Sequence, residues 1–274
     1  MEPAKLLLAS KSTRELAQEF GVTENRVRDL RAAQGIETPA PAVRVFQPQV
    51  LAAPRLIVTS DWHIPYHKPG LVAEVLSAAR EYAAEVVCVG DMIDLPTISR
   101  FDARDIDSYV GMEISAVGDV LYEFVRHNIK VHWSRGNHEL RFFRALKHQV
   151  SITDLIRMCV GDTDMVVGYE NEDLWTTGKD KWLLTHPSEY SKTPTAVARK
   201  LFVRYQCNIL TAHNHHYGAT IAPDGQHWLV ESGGLFDPQK MAYLNRGGAN
   251  SFPHQANGYW ILLEGELIWS RVKS

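Results

Sequence analysis

This sequence predicts an α/β (α+β) fold: two packed β-sheets with helices outside them, preceded by a small helical appendage. Three observations carry that expectation. From Arg55 onward, short apolar runs alternate with amphipathic stretches of helical period, the pattern of strands joined by helices. The last part of the chain, from His227, is mostly strand-like. Several apolar runs are followed at once by Asp, Asn or His, the residues that loops at the carboxyl ends of strands present to a ligand.

Composition narrows the class. The 274 residues suffice for one large domain, or for one domain with an appendage. Hydrophobic residues make up 45% and charged residues 22%, as in ordinary soluble domains. A net charge of -3 excludes a chain that is polybasic throughout, so any affinity for nucleic acid must be local. Cys88, Cys159 and Cys207 are odd in number, far apart and flanked by apolar residues, which predicts reduced core thiols in a reducing compartment. No stretch approaches the roughly 18 apolar residues of a membrane helix, and Leu6–Leu8 is too short for a signal-peptide core. The expected location is the cytoplasm, with no membrane partner.

Taken in order, Ser12 to Ala33 reads as two short helices around a tight turn. Leu16, Ala17 and Phe20 give the first an apolar face, and Val27 and Leu30 the second. Gly21 supplies the turn, and Thr23 is placed as an N-cap. Arg26, Arg28 and Arg31 fall on the second helix. The segment resembles a helix-turn-helix, which implies contact with DNA or RNA through those arginines. A helical hairpin used for packing or oligomerisation is the alternative. The expected division is residues 1–35 for this segment, 36–54 for a Pro/Ala-rich linker, and 55–274 for the main domain. Val43 to Phe46 within the linker has the pattern of a short edge strand.

The main domain then runs as strand 56–59, helix 71–82, strand 86–89, helix 110–125, strand 129–133 and helix 140–146. Strand 182–185, helix 195–205 and strand 209–211 follow, with further strands at 227–230, 259–263 and 267–272. The polar motifs sit at strand ends. Asp61 and His63 follow the first run; two residues apart, they can point to one side of an extended backbone. Gly90-Asp91 follows the second, where glycine permits a sharp turn and a carboxylate can offer one oxygen to each of two cations. Asp94 is placed to orient a neighbouring imidazole, or to serve as a turn residue. Gly136-Asn137-His138-Glu139 follows the third: Asn137 offers a neutral oxygen, His138 points elsewhere as a candidate proton donor, and Glu139 suits a helix N-terminus. His186, His213 and His215 follow later runs. Mixed carboxylate and imidazole ligands suit Mn, Fe or Zn better than Ca.

In this order and spacing, the motifs resemble the calcineurin-like metallophosphoesterase family from about Arg55 to the C-terminus. The resemblance implies a four-layer sandwich of two mixed β-sheets flanked by helices. It also implies one divalent metal on Asp61, His63, Asp91 and His215, and a second on Asp91, Asn137, His186 and His213, with Mn expected and Fe, Zn, Ni or Mg possible. His138 would be the catalytic histidine and Asp94 its orienting partner. Ala212 and Thr185 stand where the family usually has glycine. The implied activity is hydrolysis of phosphate mono- or diesters by a hydroxide bridging two metals. Because of the appendage, the expected substrate is a nucleotide or nucleic acid. A phosphatase with a protein-contact appendage, or a DNA-binding regulator with a non-catalytic metal core, are the alternatives. His67, Arg100, Arg104 and Arg141 lie next to these loops in sequence, and Arg246 and His254 lie in a long loop at 236–254; all six are candidate phosphate contacts.

Overall fold

The apolar runs of the main domain are strands, and their alternate residues separate two cores. The computed structural model describes residues 13–36, 48–99, 109–177, 180–241 and 255–269. It divides into two units, Met1–Gln47 and Pro48–Ser274.

The larger unit begins with β1 (Gln49–Leu51), β2 (Arg55–Thr59), α3 (Pro69–Glu81), β3 (Glu85–Val89) and α4 (Val110–Arg126). It continues through β4 (Val131–Ser134), α5 (Asn137–Ala145), α6 (Ile152–Val160), β5 (Val166–Tyr169), β6 (Asp173–Thr176), β7 (Trp182–Thr185) and α7 (Ala196–Tyr205). It ends with β8 (Asn208–Thr211), β9 (Tyr217–Ile221), β10 (Trp228–Ser232), β11 (Trp260–Leu263) and β12 (Glu266–Trp269). One sheet has the order β12-β11-β2-β3-β4-β5 and the other β1-β6-β7-β8-β10-β9. Both are mixed. β2 to β5 are parallel and β11 antiparallel, while β7, β8 and β10 are parallel, flanked by antiparallel β6 and β9.

Because side chains alternate along a strand, Ile57, Val86, Cys88, Val131 and Trp133 face helices α3 to α6. Val58, Val87 and Val89 face Leu174, Trp182, Leu184, Leu210 and Val230 of the other sheet. The second sheet's outer face, with Leu183, Ile209 and Leu229, packs on Ala198 and Phe202 of α7. The order helix, sheet, sheet, helix is the expected four-layer sandwich. Its construction puts the carboxyl ends of β2, β3 and β4 in one row, with those of β7 and β8 in the other sheet.

Some elements differ from the sequence expectation. α5 starts at Asn137 rather than 140, because the Glu139 carboxylate accepts the Gly136 N–H at 2.8 Å and closes the first turn. α6 was not expected, although Ser151 and Asp154 cap it reciprocally. β5, β6 and β9 were also not expected. β1 lies inside the stretch expected to be linker and pairs with β6, with Leu51 buried; the edge strand expected at 43–46 falls outside the described residues. Cys88 and Cys207 are buried and Cys159 partly so, all three free thiols. No helix among the described residues is long and apolar enough to cross a membrane.

The smaller unit contains α1 (Thr13–Phe20) and α2 (Glu24–Ala33). Gly21 has φ +63°, and Thr23 Oγ1 accepts the Arg26 N–H, as expected of turn and cap. Leu16, Ala17 and Val27 form its small core, while Phe20 and Leu30 are exposed. Of the three arginines expected to face nucleic acid, Arg26 and Arg28 are exposed. Arg31 corrects the expectation: it is 1% exposed and donates to Thr13 Oγ1 on the first helix at 2.6 Å, so it ties the two helices together.

Candidate metal centre

The five motifs meet. Among the described residues, three groups of side chains have ligand atoms close enough to hold a cation: Asp61, His63 and His215; His63, Asp91 and His138; and Asp91, His186 and His213. Asn137 joins the last through Oδ1, 3.1 Å from His186 Nε2. The backbone bends hard to achieve this. Asp61, His63, Asp91, His213 and His215 all have positive φ, between 49° and 76°, which for non-glycine residues costs on the order of 1–3 kcal/mol each. Asp61 and His63 therefore share a side through left-handed backbone, not through the extended chain expected from their spacing. Close approach is the reason for two glycines. A Cβ on Gly90 would stand 2.5 Å from His186 Nδ1, and one on Gly136 would stand 2.2 Å from Asp91 Oδ1.

The ring tautomers follow from the outward hydrogen bonds. His63 Nδ1 is 2.8 Å from Asp94 Oδ1, His186 Nδ1 is 2.8 Å from the Val89 carbonyl, and His215 Nδ1 is 2.7 Å from Gln255 Oε1. Protons on those Nδ1 atoms leave each Nε2 lone pair facing inward. There, His63 Nε2 and His215 Nε2 are 3.2 Å apart, and His186 Nε2 is 3.2 Å from Asp91 Oδ2. Asp61 Oδ1 is buried with no hydrogen-bond partner among the described residues; His215 Nε2 is 3.2 Å away. Acceptors facing acceptors in a buried site fit cations. Asp91 Oδ1 accepts the His138 N–H at 2.8 Å, and Oδ2 is the oxygen that faces His186.

The electrostatics agree. Burial opposes charge on Asp61, yet His215 and His63 hold its carboxyl well below the carboxylate range. Asp91 is likewise held down, by His186 and His138 against burial. Burial disfavours charged His63 and His186, but Asp61 and Asp94 lift the first to about 10, and Asp91 lifts the second to about 10. The carboxylates thus demand positive charge at this point.

His138 is different. Burial pushes it down to about 4, against the pull of Asp91. Its Nδ1 bonds to the Asp94 main-chain carbonyl, leaving Nε2 3.7 Å from Asp91 Oδ2. The Asp94 carboxylate is closer to His63, at 2.8 Å, than to His138, at 3.4 Å. Asp94 therefore orients His63 through its side chain and His138 chiefly through its backbone; the sequence had left the imidazole open, and the family resemblance had implied His138.

Among the expected phosphate contacts, Arg141 reaches the site: it donates to the Asp94 and Leu95 carbonyls, and Nη2 lies 3.4 Å from His138 Nε2. His67 bridges by its backbone to Phe236, whose ring packs on His63 and His215. His67 Nδ1 is buried without a hydrogen-bond partner among the described residues. Arg100, Arg104, Arg246 and His254 lie outside the described residues.

Three supporting residues have roles that the sequence reading did not give, although it placed Glu139 at a helix start. The Glu139 carboxylate, fully buried, accepts N–H groups of Asp91, Met92 and Gly136 and the Trp133 indole, locking two ligand loops together. Glu231 holds Asn214 at 3.0 Å and His216 at 2.9 Å, the residues alternating with ligand candidates His213 and His215. Gln255 is the third. Glu139 belonged to a visible motif; Glu231 and Gln255 carry no local signal. The two positions that depart from family glycines are joined to each other, Ala212 N–H donating to the Thr185 carbonyl.

The profile of the calcineurin-like phosphoesterase family matches residues 54–233. No curated relative matches the chain. Among solved structures, a single mutant of Vps29 from Entamoeba histolytica is similar at 13% identity, covering 76% of this chain and 84% of that one, with a TM-score of 0.38. Wild-type Vps29 from the same organism, complexed with zinc, is similar at 14% identity over 80% and 98%, TM-score 0.37. The protein TT1561 of Thermus thermophilus is similar at 11% identity over 67% and 91%, TM-score 0.38.

Proposed function

Because the chain belongs to the calcineurin-like phosphoesterase family, we propose that it is a phosphoesterase needing two divalent metals, one held by Asp61, His63, Asp91 and His215, the other by Asp91, Asn137, His186 and His213. The observation that supports this reading is Asp91, which is close enough to share a cation with His186 and His213 and also with His63 and His138. When bound, such metals supply Lewis acidity and a hydroxide nucleophile at neutral pH. The chain's own residues do the rest. Asp61, Asp91 and Asn137 fix the ion positions, and Asp94 fixes the His63 ring. His138, tethered by its backbone to Asp91 and by its ring to Asp94, aims Nε2 past the shared carboxylate. Protonated at Nε2 as well, a state that burial opposes and Asp91 and Asp94 favour, the ring could give that proton to the departing ester oxygen, next to the Arg141 guanidinium.

The substrate proposed is a nucleotide or nucleic-acid phosphoester, for which exposed Arg26 and Arg28 are the support. The test uses metal-stripped protein with Mn2+ restored, offered an aryl phosphomonoester, an aryl phosphodiester, cyclic nucleotides, DNA and RNA. Hydrolysis should require metal and favour a nucleotide or nucleic acid. Turnover by protein shown metal-free by elemental analysis would sink the two-metal reading. Preference for the monoester alone would sink the substrate reading.

A further inference from the structure

We propose that Gln255 is a positioning residue of the metal centre. Its side-chain oxygen sets the tautomer and tilt of His215, and thereby how tightly the ion on that histidine is held. The inference rests on the metal-binding reading above. His215 turns Nε2 to the cluster, 3.2 Å from both Asp61 Oδ1 and His63 Nε2. A ring nitrogen binds a cation only through its lone pair, so the proton must sit on Nδ1 and needs an acceptor. Gln255 Oε1, at 2.7 Å, is that acceptor.

The same short segment grips His215 from its backbone side, because the Ala256 N–H donates to the His215 carbonyl at 2.8 Å. The segment is itself anchored. Gly234 N–H donates to the Ala256 carbonyl, and Asn257 Nδ2 donates to the carbonyls of Gly234 and Phe236. The Phe236 ring, with its centroid 4.4 Å from that of His215, limits the remaining tilt. His215 has φ +58°, a shape that persists only when its surroundings hold it. His215 lies inside residues 54–233, the stretch shared with the family, while Gly234, Phe236, Gln255, Ala256 and Asn257 lie beyond it.

The chemistry of an amide matters here. His63 is backed by a carboxylate and His186 by a main-chain carbonyl, both acceptors only. Gln255 can accept through Oε1 from Nδ1–H, or turn over and donate through Nε2 to a bare Nδ1. Turned over, it would favour the tautomer with the proton on Nε2, facing Asp61; in the orientation observed, with Oε1 on Nδ1, it selects the one ready for metal. A carboxylate at this position would admit only the second.

The test is a calorimetric titration of metal-stripped, full-length protein with Mn2+, and a long-range proton–nitrogen spectrum of the zinc-loaded, 15N-histidine protein. Wild type should bind two equivalents and show His215 protonated at Nδ1. Gln255→Met keeps the volume without the acceptor. It should weaken one equivalent by about 10–100-fold and leave the other within about threefold, the usual range for loss of an outer-shell partner. Gln255→Glu should restore or exceed wild-type affinity. The proposal is overturned if folded Gln255→Met binds both equivalents as wild type does with His215 unchanged, or if Gln255→Glu binds more weakly than wild type. The second arm holds even where the Met variant does not fold. Wild type that takes up no metal overturns the metal-binding reading and this proposal together.

Discussion

His138 and Asp91 are neighbours with opposite duties, and substitution separates them. Asp91 is buried and is the ligand proposed to be shared by both metals, so Asp91→Asn, which removes its charge, should lose bound metal. His138 lies close enough to His63 and Asp91 to share a cation with them but is not among the ligands proposed, so on that reading His138→Ala should leave metal content and melting temperature near wild type. Its turnover should fall ~10²–10⁴-fold on an ester with a poor leaving group and far less on an activated aryl ester, whose oxygen departs without help. Metal analysis with rates on the two esters checks this; an equal loss on both would remove His138 from the leaving-group step. Residue identity at the centre was legible because Asp, Asn and His at strand ends have few other reasons to cluster. Its supports were not: Glu231 and Gln255 act across 15 to 40 positions of sequence, and no local pattern encodes such a partner.

Among elements, strands with continuous Val, Ile and Leu were read to within a residue or two, since two buried faces leave little alternative. β5, β6 and β9 were missed because their burial is partial and their sequences carry Gly or Asp; neighbours in the sheet, not propensity, make them strands. The same dependence on neighbours governs titration between strands. His132 on β4 bonds to Glu85 on β3 and to the Tyr169 hydroxyl on β5. Burial, aided by Lys130, lowers its pKa in spite of Glu85. The folded pKa is below the unfolded one, so the unfolded chain takes the proton first as pH falls. The stability His132 contributes is present above about pH 6.5 and is lost as pH drops through the depressed folded value. Urea unfolding of wild type and His132→Gln should therefore differ more at pH 7.5 than at pH 5; a gap that widened in acid would reverse the sign.

In the smaller unit, the two helices and the turn between them were legible from Gly21 and Thr23, but arginine spacing did not reveal which side chain turns inward. Arg31 holds Thr13, so Arg31→Ala should lower helicity by circular dichroism. Arg26→Ala with Arg28→Ala should leave helicity intact and reduce the salt dependence of DNA binding by about two units of slope, one per phosphate contact. An unchanged slope would assign this unit to protein contacts instead.

At the scale of the whole molecule, the boundary between the units decides what can be removed. Linker composition placed the main domain's start at Arg55, yet β1 completes the edge of the second sheet beside β6 and buries Leu51. Pro and Ala around a three-residue strand hide it, because its stability comes from its partner and not from its own sequence. A chain beginning at Pro48 keeps every ligand candidate and both sheets. It should melt near the full-length temperature and hydrolyse a small aryl phosphoester at the full-length rate in Mn2+, while losing salt-sensitive DNA binding. A chain beginning at Arg55 keeps the same ligands but strips β1 from β6. Exposing Leu51's site alone should cost about 1.5–3 kcal/mol, and the lost ladder more, so this version should melt several degrees lower before any change in the intrinsic rate at low temperature. If the two truncations melt together, β1 is dispensable and the domain begins where its composition placed it. If the Pro48 version loses hydrolysis of the small ester, the N-terminal unit contributes to the reaction itself and not only to the choice of substrate.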